Sequence, residues 1–355
     1  MTEERKIDSA PDDLNDRERS ILHHVVDQYI RTAVPIGSRF ISKRFESHLS
    51  PATIRNVMAD LEELGYLSHP HTSAGRVPTD LGYRYYVDYL MEVERLRDSE
   101  VREIQQQLDR VNDPAELLRV TSKLLSKISR QLSVVSSPHI SSGVLEKLEL
   151  IPLSSSKLLV VLSIRSGIVK TIMLEVAGEI DRRDTEHVSA LLNQRLAGLT
   201  LQQIRESFVD RMREVQDDKS GLIRLFIDSV DQLYADEKSE KLHISGTQNI
   251  IEQPEFVDPK NFRGVIELIE NEEIIVHLLE KREQAGTNLT ITIGSENPEQ
   301  AARDYGVVTT IYDVDGVSGS VGIIGPRRMN YAKLVPLVEH VAKTIARIMG
   351  GQGTA

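Results

Sequence analysis

Ser50 followed by Pro51 fixes where one helix has to begin. A serine hydroxyl accepts from an orphan backbone N–H of the first turn, and proline at the first helical position lacks only a donor that would go unsatisfied there. Behind the pair Ile54, Val57, Met58, Leu61 and Leu64 recur at helical spacing, and Gly65 closes the run. Upstream, Pro35 and Gly37 break the chain, and Ser38 is placed to cap a short helix carrying Phe40, Ile41 and Phe45. Ser47, His48, Leu49 and Ser50 then form a four-residue turn. Asn15 with Glu18 marks an earlier helix that carries Ile21, Leu22, Val25 and Tyr29. Downstream, Tyr66 to His69 and Arg76 to Thr79 predict two short strands. Thr79 or Asp80 then caps a helix that buries Tyr83, Val87 and Leu90. The order is helix, helix–turn–helix, hairpin, helix.

Beyond this head, Val101, Ile104, Leu108 and Val111 predict a connecting helix. A second helix would place Leu117, Thr121, Leu124, Ile128 and Leu132 on one side. Val144 to Leu153, Lys157 to Arg165 and Ile168 to Val176 predict an antiparallel meander. From about Glu179 to Val257 the pattern is helical. Strands return at Leu289 to Ile293, Val307 to Tyr312 and Gly319 to Ile324, before a last helix from Tyr331 to Met349. Strands on both sides of a helical block predict an α+β fold with an insertion. The expected division is a disordered tail over 1–13, the head over 14–97, an α+β domain in two parts over 98–178 and 258–355, and an inserted helical domain over 179–257.

Composition narrows the chemistry. There is no cysteine, which excludes a disulfide framework, thiol catalysis and Cys-based metal sites. No run approaches ~20 apolar residues and the first residues are polar and acidic, which predicts a cytoplasmic chain with no membrane span. A net charge of −11 excludes a protein that coats nucleic acid over its whole surface. The distribution is uneven, however. Tyr29 to Met58 holds Arg31, Arg39, Lys43, Arg44 and Arg55 against Glu46 alone.

That basic island coincides with the helix–turn–helix. Opposite the apolar stripe, the helix after Ser50 carries Ala52, Arg55, Asn56 and Ala59, with Thr53 beside them. Small residues let a helix approach a surface, while Arg suits guanine O6/N7 and Asn suits adenine N6/N7. Ala52, Thr53, Arg55 and Asn56 are therefore the candidate base-edge contacts. Ser50, Arg39, Lys43 and Arg44 are the candidates for the phosphate backbone, and His71 and Arg76 for a hairpin lying on the duplex. The same residues also fit an ordinary solvated helix face and an exposed turn. His69 with His71, or His23 with His24, lacks a third ligand nearby, so no metal is expected. Gly319, Gly322 and Gly325 lie in a strand and a turn, where close packing explains them better than a phosphate loop. No catalytic triad, metalloprotease or P-loop pattern is present, so neither an enzyme nor a cofactor is expected.

Longer stretches carry a family likeness. Ser50 to Asn56, Leu61 to Leu67, Pro70 to Thr79 and Gly82 to Asp88 closely resemble the HrcA family of bacterial heat-inducible transcription repressors. So does a second block, Ile293 to Asn297 and Gly322 to Tyr331. Val77 departs conservatively from the expected Ile. The resemblance implies a winged-helix DNA-binding domain and a GAF-like domain interrupted by a dimerising insertion. It also implies a homodimer on an inverted-repeat operator of chaperone genes, with the GroE chaperonin keeping the repressor active. Val188, Leu191, Leu192, Leu222, Leu225 and Phe226 in the insertion are the expected interface. Two alternatives remain open: a repressor governed by a metabolite in the GAF-like domain, and an enzyme whose head merely docks a partner.

Overall fold

The computed structural model describes residues 14–44, 49–70, 75–138, 142–165, 167–176, 181–212, 242–256, 259–283 and 288–351. The tail over 1–13, Phe45, His71 and the insertion residues Leu222, Leu225 and Phe226 lie outside them. Helix α1 (Asp16–Thr32) starts where Asn15 and Glu18 mark it, on a capping box in which the Asn15 side chain accepts from Arg17 and Glu18 N–H and the Glu18 carboxylate accepts from Asn15 N–H. Helix α2 (Ser38–Arg44) buries Ile41 but leaves Phe40 exposed, so its apolar stripe is narrower than expected. Helix α3 (Pro51–Glu63) starts as Ser50 and Pro51 require, with Ser50 Oγ accepting from Thr53 N–H at 3.1 Å. Gly65 follows at φ +83°. Strands β1 (Leu67–Ser68) and β2 (Val77–Pro78) pair antiparallel. Helix α4 (Asp80–Tyr85), capped by Thr79, continues into a π-helical turn over Tyr86–Leu90.

Helices α5 (Asp98–Leu108) and α6 (Pro114–Ser129) lead into strand β3 (Leu132–Ser136). Leu132 thus belongs to a strand and not to the preceding helical stripe. Arg130, in the left-handed region at φ 54°, ends α6 without the glycine that would have announced it. β3 joins a five-stranded antiparallel sheet of order β7-β3-β10-β9-β8. Its other strands are β7 (Leu242–Ser245), β8 (Leu289–Ile293), β9 (Tyr305–Val314) and β10 (Val317–Pro326). Alternation sends Val135, Val308 and Ile323 into the core shared with α6 and a last helix over Tyr331–Gly350. Val134, Val307 and Ile324 enter a second core with Val265, Leu268 and Ile275, from the helices over Pro259–Glu270 and Glu272–Glu283. Gly319 packs beneath Tyr312, where a Cβ would lie 2.4 Å from the ring, so the glycine is steric as anticipated.

Between β3 and β7, which are neighbours in this sheet, the chain builds a separate unit. Strands β4 (Leu145–Ser154), β5 (Lys157–Ile164) and β6 (Val169–Glu175) form the meander. It packs on α7 (Arg182–Leu196) and α8 (Leu201–Met212) around a further core, which Val317 at the start of β10 also joins. The expected boundary at 179 therefore falls inside this unit, and the expected end at 257 overshoots it, because β7 belongs to the larger sheet. Periodicity identifies an element's type and leaves its partner unspecified. Among the described residues no helix is long and apolar enough to cross a membrane.

The head sits on the rim of the sheet domain. Asp80 accepts from Ser295 N–H at 2.9 Å and from Arg327 at 3.0 Å. Arg84 forks onto Glu296, with Nε 2.8 Å from Oε1, and donates to the Ile291 carbonyl at 2.8 Å. Arg328 pairs with Glu255 and donates to the Ile30 carbonyl at 3.2 Å.

Candidate nucleic-acid interface

One side of α3 is committed to the core: Ile54, Val57, Met58 and Leu61 are buried. The other side presents Ala52, Arg55 and Asn56 exposed, with Thr53 half-buried beside them. These four residues share one outward surface, as their spacing predicts for a 3.6-residue turn. Ser50 and Thr53 hydroxyls lie 3.0 Å apart at the helix N-terminus, so Ser50 both caps the helix and stands at the edge of that surface. Arg39 and Lys43 are exposed on α2. Arg44 ends α2, and its side chain lies outside the described residues, as does the connection over 45–48.

The hairpin is fastened at its base. Ile36 and Arg76 exchange two backbone hydrogen bonds of 2.9 Å, tying β2 to the link between α1 and α2. Gly75 is obligatory here, since a Cβ would lie 2.5 Å from the Ile36 carbonyl carbon. The Arg76 guanidinium does not project from the hairpin. It pairs with Glu62 of α3 at 2.7 Å, and its Nε is buried without a hydrogen-bond partner. Glu62 also receives the His69 ring, from the residue just after β1. One carboxylate thus bridges the last turn of α3 to the end of β1 and the start of β2. Sequence reasoning missed Glu62, because nothing local signals a partner 14 residues away. His24, one of the histidines weighed as a metal ligand, directs Nδ1 at the Ser20 carbonyl at 2.8 Å.

Two of the expected interface residues in the insertion are turned inward. Val188 and Leu192 are buried in the core beneath the meander, and Leu191 packs against it. The opposite face of that sheet is exposed instead. Ile151, Leu159 and Met173 align across β4, β5 and β6, with Val169 four residues from Met173 on the same face of β6. Exposure is 41% at Ile151, 52% at Leu153, 59% at Val169 and 55% at Met173, high for large apolar side chains.

A family model described as the HrcA protein C terminal domain matches residues 115–335. The heat-inducible transcription repressor HrcA of Chlorobium phaeobacteroides (strain BS1) is 44% identical over 345 residues, covering 94% of this chain and 98% of that protein. The chain belongs to the HrcA family. The HrcA of Prosthecochloris aestuarii is also 44% identical, over 94% of this chain and 97% of its own length. HrcA proteins are heat-inducible transcription repressors and not enzymes. A crystal structure of a hypothetical protein shares the fold, with a TM-score of 0.57 at 23% identity over 96% of this chain and 99% of that one.

Glu62 is an exacting contact of this HrcA head, since removing its charge leaves the half-buried Arg76 guanidinium without its carboxylate. Glu62→Ala is expected to destabilise the head by about 1.5–3 kcal/mol, the range for a hydrogen bond to a charged group. The Ile36 and Arg76 amides should then exchange with deuterium faster than those of α3. Unchanged protection at both amides would show that the hairpin is held by other contacts.

Proposed function

We propose that this HrcA chain represses chaperone operons in the cytoplasm by occupying an inverted-repeat operator as a homodimer. The observation that carries the reading is the outward surface of α3, where small residues flank Arg55 and Asn56. The head then acts as a winged helix, with α3 in the major groove. Ala52, Thr53, Arg55 and Asn56 meet base edges, while Ser50, Arg39, Lys43 and Arg44 meet the backbone. His71 belongs to the wing. Arg76 serves the wing from behind, through Glu62. The five-stranded sheet domain is the GAF-like domain, and the insertion carries the dimer contact.

For that contact we favour the meander's exposed face over its helices, and a second copy of this chain as its occupant. An apolar patch bordered by Lys147 and Glu149, which pair with each other, offers both charge signs to a two-fold mate. The rival reading is a metabolite held in the GAF-like domain. The crevice between Leu279, Thr290 and Thr310 holds no water-sized space. In the heat response, mild loss of packing would expose apolar surface that the GroE chaperonin recognises and returns to the folded state.

Footprinting of purified protein on its own upstream region tests the function directly. Arg55→Ala and Asn56→Ala should each cost about 1–3 kcal/mol of specific affinity with the fold intact. Lys43→Ala should weaken binding to all sequences and flatten the salt dependence. Wild-type affinity in both α3 variants would show that another surface reads the DNA. Ile151→Asp combined with Met173→Asp should convert dimer to monomer in sedimentation, while leaving the secondary structure unchanged; a persisting dimer would place the contact elsewhere. Operator binding lost on heating should return more completely with the chaperonin than without it, and equal recovery would remove the chaperonin from the mechanism.

A further inference from the structure

The blocks that carry the HrcA likeness beyond the helix–turn–helix and its hairpin have no assigned part in reading DNA, yet they converge. Gly82 to Asp88, Ile293 to Asn297 and Gly322 to Tyr331 all contribute to the joint between head and sheet domain. Two kinds of contact operate there. Tyr83 and Val87 of the head share one continuous apolar cluster with Ile293, Tyr331 and Leu334. Such contact resists separation but has little directional preference. The polar contacts are directional, because a forked guanidinium–carboxylate pair fixes an angle as well as a distance.

Their placement suits that task. Asp80 and Arg84 stand one helical turn apart on α4, so both face the same rim. Gly294 at φ +57° lets the Asp80 carboxylate close on the 294–296 turn, since a Cβ there would come within 2.3 Å of it. Burial would raise the Asp80 carboxyl, but hydrogen bonds from Ser295 and Arg327 hold it below the usual carboxylate value, so it stays charged at neutral pH. A third attachment, from Arg328 to the Ile30 carbonyl, lies off that line at the end of α1. Beside these contacts runs a cleft of about 460 Å³ lined by both bodies, including Tyr29, Pro78 and Asp304. Dry packing therefore does not wedge the head on that side.

We propose that the Arg84–Glu296 and Asp80–Arg327 pairs form a clasp that sets the angle of the head, and that this angle selects which separation of operator half-sites the dimer accepts. The second clause rests on the DNA-binding dimer proposed above. With the clasp shut, each α3 is carried by a rigid series of bodies out to the dimer contact, so two recognition helices have one spacing. With it open, the head pivots on its apolar seat, held by the 91–97 segment and its hydrogen bond from Glu94 N–H to the Ala332 carbonyl.

Arg84→Met and Glu296→Gln, singly and together, test this. The glutamine keeps an acceptor for the Ile293 N–H that Glu296 now serves. The probe is an inverted repeat selected in vitro on the wild-type protein, then lengthened at its centre by ~5 base pairs, half a helical turn. Wild type should lose at least about tenfold in affinity on the lengthened site and the variants under about threefold, with binding to one half-site unchanged in all. The double variant should be no looser than either single one, as expected for partners in one contact. Variants that keep the wild-type spacing dependence would overturn the proposal. The absence of native cysteine allows a second readout. Spin labels at Glu63→Cys and Lys343→Cys, in chains diluted with unlabelled protein, should give a narrow distance distribution that broadens in the variants. Equal widths would overturn the clasp. Wild type that binds no inverted repeat would defeat the DNA reading, and the distance widths would still decide the clasp.

Discussion

The hairpin of β9 and β10 is buried on both faces along nearly its whole length, and most of the architecture answers to that constraint. A sheet with no wet face needs helices on each side, so α6 and the last helix cover one and the helices over 247–283 the other. The edges then have to be made by other segments. β8 closes one side. On the other, β3 pairs with β10 and β7 with β3, although over a hundred residues separate β3 from β7. Because those two strands are neighbours, the chain between them can grow into an independent unit without disturbing the sheet. The insertion is a consequence of where an edge strand was left to be supplied late.

β8 also determines where the head can rest. The turn that follows it presents the Ser295 N–H and the Glu296 carboxylate, and α4 carries the matching Asp80 and Arg84. Burial alone would lower the Arg84 affinity for its proton, yet the Glu296 carboxylate beside it holds it higher than usual, so this cation stays charged. The ion pairs at this joint are partly exposed, which limits their contribution to overall stability. Their value is geometric, since they orient a body that apolar contact has already seated.

Much of the head was legible because its signals are local. Asn15, Ser50, Thr79 and Gly65 act on backbone groups within a turn of themselves, and each stands where the sequence puts it. The outward side of α3 was equally readable, since its composition follows from subtracting the buried stripe. What escaped were relations between distant residues. Glu62 and Arg76 meet only once the hairpin forms. β7 is four residues long and has no distinguishing pattern, so it was absorbed into a helical stretch. Val188 and Leu192 were correctly read as apolar helical positions, but only the fold reveals that they face the meander and that the meander's other side is the exposed one.

The charge distribution gains meaning in this setting. A chain of net charge −11 is repelled by DNA over most of its surface, which suppresses non-specific association. The basic residues of α2 and α3 offset that repulsion locally. On the proposed reading, approach is therefore productive mainly with α3 leading, and the acidic remainder acts as an orienting field. Such a field is useful only if the basic surface points in a fixed direction relative to the bulk. A head free to turn would average its few cations against the charge of its own body. The polar contacts at the joint and the uneven charge are in that sense one device: the first holds the angle that lets the second discriminate.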